Sequence, residues 1–173
     1  MLGTVGLTLI GLVLGLALAL RAYRAFSGTT QVAEVRCRWT GPEAFDLTFA
    51  PVRDGRLGPP QTFHLRGAQW TVSGGIVKWH PWLTVCGLPS YQKLTRLSGR
   101  FATVAQETAA PPTAFALNGG DDPMWWWFYR ADPWLPFVEA TYGSAAFLPC
   151  DPSTVTDVLV SPSGYLLKRR PRS

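Results

Sequence analysis

The chain is poor in the side chains that most often do chemistry. It has only two histidines, His64 and His80, in separate segments and in none of the HxH, HExxH or HxxE spacings that would hold a metal. Gly74-Gly75 is not followed by the Gly-Lys-Ser/Thr of a phosphate loop, and no GxSxG nucleophile elbow occurs. The expectation is therefore that the protein is not an enzyme and holds neither cofactor nor metal. Three cysteines, Cys37, Cys86 and Cys150, are an odd number without CxxC spacing, which argues against a zinc site or a closed disulfide framework. They read as small buried hydrophobes, with one disulfide between an unspecified pair open if the domain is periplasmic.

Charge is missing from one stretch altogether. Leu2 to Leu20 contains no Asp, Glu, Lys or Arg, so all 16 Lys and Arg and all 11 Asp and Glu of the 173 residues lie beyond it. At 1.5 Å per residue such a run reaches about 29 Å, close to the ~30 Å hydrocarbon thickness of a bilayer. Ala17-Leu18-Ala19 has the small-x-small form of a signal-peptide cleavage site. However, no Lys or Arg precedes the run, and it is longer than the usual ~7–15 residue apolar segment. An uncleaved single-pass anchor is expected. Gly11, Gly15 and Ala19 fall at i, i+4 and i+8, giving that helix one face of small residues on which another helix could pack.

Arg21 and Arg24 follow the run at once, with Arg36 and Arg38 further on, and no cation side chain precedes it. The positive-inside tendency then puts the domain in the cytoplasm, at the inner membrane. The net charge of +5 suits anionic lipid head groups, to which Arg21, Arg24 and the terminal Lys168, Arg169, Arg170 and Arg172 are assigned. These cations are scattered and carry no nucleic-acid-binding motif, so no nucleic-acid partner is expected.

Beyond the anchor the periodicity is that of strands. Gln31 to Trp39 alternates Ala33, Val35, Cys37 and Trp39 against charged neighbours, and Ala44 to Ala50 repeats this with Phe45, Leu47 and Phe49. Phe63 and Leu65, Trp70 to Val72, Ile76 to Trp79 and Arg100 to Glu107 read as further strands, and the first half of the domain, before Pro81, as an antiparallel meander. A short helix is expected within Pro81 to Lys93, and Ala109 to Gly120 reads as a connection. Asp121-Asp122-Pro123 has the form of a helix start, with a metal-binding carboxylate pair as the alternative. A second helix is expected from Asp132-Pro133 to Tyr142, ended by Gly143. Thr154 to Ser161 and Tyr165 to Lys168 close the chain as a hairpin. The predicted fold is α+β: one N-terminal transmembrane helix (residues 1–26), then a water-facing, mainly antiparallel β domain (27–173) with one or two short Trp-rich helices.

What is abundant is tryptophan, eight residues in all. Trp125, Trp126, Trp127, Phe128 and Tyr129, followed by Trp134, would make a helix apolar nearly all round, more than one small core can cover. Trp125, Trp126, Trp127, Tyr129 and Trp134 are therefore assigned to a partner or membrane interface, with burial under the sheet as the alternative.

Val77-Lys78-Trp79-His80-Pro81-Trp82, Leu94-Thr95-Arg96-Leu97-Ser98-Gly99-Arg100-Phe101 and Trp134-Leu135-Pro136-Phe137-Val138-Glu139-Ala140-Thr141-Tyr142-Gly143-Ser144 carry a resemblance, in that order. With the N-terminal run they resemble a family of small single-pass bacterial membrane proteins often labelled "cation/multidrug efflux pump". One helix cannot by itself enclose a polar path through a bilayer, so the resemblance implies the architecture and, for transport, an assembly. The function expected is a non-catalytic accessory subunit of a larger membrane complex, with integral membrane subunits and anionic lipid as partners. The alternative is an efflux-associated or envelope-maintenance protein acting on small molecules or lipid.

Overall fold

The computed structural model describes residues 2–88, 90–110, 113–131 and 134–172, with the side chains of 2–5, 8 and 24–26 outside that description. Helix α1, Leu2–Ser27, is followed at Thr30 by a domain with ten strands among the described residues. Between Leu9 and Leu20 its sequence offers no polar side chain to compete with the backbone for hydrogen bonds. Among the described residues no helix is long and apolar enough to cross a membrane.

Strands β1 (Thr30–Gly41), β2 (Ala44–Arg53), β3 (Arg56–Leu57), β4 (Gln61–Arg66), β9 (Thr154–Ser161) and β10 (Gly164–Pro171) form one sheet. Its order is β10-β9-β1-β2-β3, with β4 also paired to β2. Strands β5 (Gln69–Trp79), β6 (Tyr91–Arg100), β7 (Ala114–Ala116) and β8 (Val138–Pro149) form the second, in the order β7-β6-β5-β8. Every pairing is antiparallel. Helices α2 (Pro81–Val85), α3 (Val104–Ala109) and α4 (Pro123–Ala131) lie in the connections of the second sheet.

The sheets face each other across one core. Val35, Phe45, Leu47 and Leu65 from the first meet Trp70, Val72, Ile76 and Leu97 from the second, all essentially inaccessible to water. Burying each such side chain contributes about 1.5–3 kcal/mol. The chain crosses between sheets at Gly67, whose φ of +122° and whose position 2.3 Å from the Arg100 carbonyl oxygen, measured from where a Cβ would sit, require glycine.

The expected alternation of β1 and β2 holds: Val35 faces Phe49, Cys37 faces Leu47 and Trp39 faces Phe45. The closing hairpin also stands, as β9 and β10. Three expectations are corrected. Trp70–Val72 and Ile76–Trp79 are parts of one strand, β5, which carries on through Gly74-Gly75 with a register shift between Ser73 and Gly74. The strand expected over Arg100–Glu107 is instead the end of β6 followed by α3, started by a capping box in which Thr103 and Gln106 hold each other's backbone N–H. The helix expected to run to Tyr142 is absent from the described residues there: Val138 begins β8, and Gly143 lies inside it opposite Gly75. Asp132 and Pro133, its expected start, lie outside the described residues.

The disulfide left open in the sequence is present, and the reading of the cysteines as buried is corrected at Cys86. Cys37 on the inner side of β1 and Cys150 just after β8 form a disulfide, with Cα atoms 5.7 Å apart and a sequence separation of 113, joining the two sheets inside the core. Cys86 is a free thiol and is exposed rather than buried.

Candidate functional site

The side of the second sheet that faces away from the core is unusual. Thr141, Gly143 and Ala145 point there from β8, because Tyr142 and Ser144 turn the other way to meet the Pro162 carbonyl and the Tyr165 N–H. From β5 the same side presents Ser73 and Gly75. Helix α4 lies across part of it. The Trp125 ring sits on Gly75 so closely that a Cβ there would come within 2.3 Å of the indole. Farther along β5, Trp79 meets Phe128 edge-on at 5.2 Å.

Asp122 fixes the start of α4. It is buried, and its carboxylate accepts the Tyr91 hydroxyl at 3.0 and 2.9 Å and the Trp125 N–H at 3.2 Å. Burial, then the hydrogen bond and charge of Asp122, push the Tyr91 phenol up to about 12. Burial, followed by the charge of Asp122, also raises the Tyr165 phenol. Asp122 therefore acts as the helix cap foreseen at Asp121-Asp122. Asp121 is exposed, and its carbonyl accepts the Lys93 ammonium at 3.0 Å. Among the described residues no group of three His, Cys, Asp or Glu could hold a metal ion.

The part of this face that α4 leaves uncovered is a groove of about 600 Å³. Ser73, Ala114, Ala116 and Ala145 floor it, Trp125 and Trp126 wall it, and Arg96 stands exposed at its edge. The Trp125 indole N–H and the Thr141 hydroxyl are buried without a hydrogen-bond partner, so polar satisfaction is incomplete beside α4.

The tryptophans assigned to an interface separate into two groups. Trp125 is half-buried, stacked on Tyr129 at 5.1 Å and seated on the sheet. Trp126, Trp127, Tyr129 and Trp134 are exposed, Trp134 to 85%. Sequence reasoning missed Trp82 and Leu88, which are exposed beside α1 on and after α2. The signal available was the Trp79-His80-Pro81-Trp82 run, where proline at the first helical position marks a helix start flanked by indoles.

Along α1, Leu7, Leu9, Ile10, Leu12, Val13, Leu14, Leu16, Leu18 and Leu20 are each more than half exposed, on every side of the helix. Gly11, Gly15 and Ala19 share this exposure, and nothing lies within 4 Å of where a Cβ on Gly11 or Gly15 would be. The Arg21 guanidinium donates to the Cys86 carbonyl at 3.1 Å, tying the end of α1 to α2. The Arg24 side chain lies outside the described residues. Lys168, Arg169 and Arg170 belong to strand β10, with Arg172 just beyond it, so they do not form a free tail. Arg170 pairs with Glu34 and, at 3.2 Å, with Asp157. The register sets Thr30 beside Val160, Lys168 beside Asp157 and Arg170 beside Val155, and the Arg170 side chain lines a hollow together with Thr29 and Thr30. His64 pairs with Asp46 at 2.9 Å on the far sheet, and His80 precedes α2 without capping it through its side chain.

Compared with protein-family models, with curated proteins and with solved structures, the chain finds no match in any of the three.

Proposed function

We propose that this protein is a single-pass accessory subunit of a membrane complex, anchored by α1 and presenting its β domain on the oxidising side of the membrane. The observation that carries this reading is the exposure of large aliphatic side chains all round α1. A helix apolar on every side is stable where something apolar surrounds it, inside a large core or in lipid, and the domain supplies no such core. The charge-free run of α1, Leu2 to Leu20, reaches about 29 Å, close to the ~30 Å hydrocarbon thickness. The face of Gly11, Gly15 and Ala19 is then the place for a partner helix.

The orientation proposed differs from the cytoplasmic one that the flanking cations suggest. A buried disulfide between Cys37 and Cys150 favours an oxidising compartment, since cytosolic thiols are kept reduced. Against this, Arg21 and Arg24 give only a weak orientation bias for a lone span, and Arg21 is already engaged by Cys86.

The test is to purify tagged full-length protein from native membranes in mild detergent and identify by mass spectrometry what accompanies it. A stoichiometric set of integral membrane subunits is the expected result. A chain that emerges alone, and whose deletion leaves every candidate complex intact, would overturn the accessory role. The second reading, an efflux-associated or envelope-maintenance role, draws on the groove between Trp126 and Arg96, which has room for a small apolar molecule. It expects altered drug or detergent sensitivity on deletion, and an unchanged profile across several compound classes counts against it. The resemblance to the efflux-labelled family bears on this reading through three segments that all fall in or beside the second sheet.

A further inference from the structure

We propose that α2, the last turn of α4 and the segment Trp134–Phe137 form one lipid-contacting foot, which rests on the head-group layer of the bilayer that α1 crosses. This rests on the single-span reading of α1 and adds a second, peripheral attachment that fixes how the domain stands on the membrane.

Three contacts make these pieces one surface. Arg21 follows the last residue of the apolar run, and its bond to the Cys86 carbonyl sets α2 at the level where the hydrocarbon would end. The His80 N–H donates to the Phe137 carbonyl at 2.8 Å, joining the start of α2 to the segment before β8. The Trp79 ring lies 5.2 Å from Phe128 and 6.5 Å from Phe137, bringing the end of α4 to the same place. The result is an aromatic surface continuous with the exit point of α1.

Its chemistry is that of the membrane–water boundary. Trp82, Trp127 and Trp134 are 55%, 57% and 85% exposed, and Leu88 beside them is 42% exposed. In water these indoles leave apolar ring area uncovered. At the head-group level the ring meets acyl chain while its N–H meets water or ester oxygen. Arg21 on α1 and Arg130 in the last turn of α4 are exposed and suit an anionic head group, and Glu139 is neutralised by Lys78 at 2.7 Å. The residues split accordingly. Trp125 and Trp126 belong to the groove over Gly75, the cations of β10 lie on the first sheet with Arg170 held by Glu34 and Asp157, and Trp82, Trp127 and Trp134 face the bilayer.

The protein contains its own probe. With Cys37 and Cys150 bonded to each other, Cys86 is the free thiol, exposed within the foot. Full-length protein carrying an environment-sensitive fluorophore on Cys86 is reconstituted into phosphatidylcholine vesicles with a minor share of phosphatidylglycerol, and floated on a density gradient. Quenching is then read with head-group nitroxide lipid and with aqueous iodide. The expected result is a floating protein whose fluorophore is quenched by the nitroxide and shielded from iodide. The Trp82→Ala/Trp134→Ala variant, both sites being exposed and its fold checked by circular dichroism, should still float while losing nitroxide quenching and gaining iodide quenching. Flotation with Cys86 open to iodide and untouched by nitroxide would overturn the foot and leave the anchor standing. Shielding from both quenchers would mean that another protein copy covers the surface, which also overturns the lipid assignment. Failure to float overturns anchor and foot together.

Discussion

The outward face of the six-stranded sheet and that of the four-stranded sheet come from the same antiparallel pairing but present different surfaces. On the first, Glu34 lies between Arg36 and Arg170, Asp157 takes Arg170 as well, and Asp46 takes His64 and Arg38. On the second, Ser73, Gly75, Gly143 and Ala145 lie beneath or beside a tryptophan-rich helix. Cross-strand ion pairs are content in water and need no further partner. A floor of small residues invites close approach by something else, here the Trp125 ring, and leaves the other indoles of α4 outside. One face is finished by the chain itself, and the other, with α1 and α2 beside it, is where outside contact is to be sought.

The largest expected effect comes from cutting the bond between the two sheets. Replacing both Cys37 and Cys150 by alanine should cost roughly 3–5 kcal/mol in denaturant unfolding, because the disulfide closes a loop of more than a hundred residues. An unchanged midpoint would mean that the sheets hold together without it. Next, Gly75→Val puts side chain where the Trp125 ring sits and should cost about 1–3 kcal/mol, with Trp emission shifted toward that of water-exposed indole. If neither moves, α4 is not seated on β5.

On the charged face, Glu34→Gln should cost about 1 kcal/mol, a modest figure because the Arg36 and Arg170 side chains are half exposed to screening solvent. A double-mutant cycle with Arg170→Met checks that the loss belongs to the pair. The smallest effect is on pH dependence. Tyr91 titrates at about 12 folded against 10.0 for the free group, so above pH 10 the unfolded chain loses the proton first and stability falls as pH rises toward 12. Tyr91→Phe should flatten that fall, and an identical alkaline profile would contradict the Tyr91–Asp122 bond.

The difference between the faces also explains what could be read from sequence. Strands β1, β2, β9 and β10 bury one face against a polar opposite face, so their period-2 alternation is plain. Strand β6 escaped because the shift opposite Ser73 and Gly74 leaves Thr95 without a counterpart in β5, which turns both Leu94 and Leu97 inward and breaks the alternation. Strand β5 looked interrupted at Gly74-Gly75, though those glycines are where Lys93 and Trp125 approach most closely. The Thr103-x-x-Gln106 box was a readable helix start, hidden by the apolar residues around it. At the candidate site, the bare α1 and the excess of indole were legible from composition. The Cys37–Cys150 bond and the Arg21–Cys86 tie were not, since each joins residues far apart in the chain through a topology that no local pattern encodes.

The most direct test of the account is alkaline carbonate extraction of membranes from cells expressing the full-length chain. With α1 in the bilayer, the protein stays in the membrane pellet after extraction. Its complete release into the supernatant would contradict the anchor, leaving the aliphatic side chains of α1 to be covered by some other protein instead of lipid.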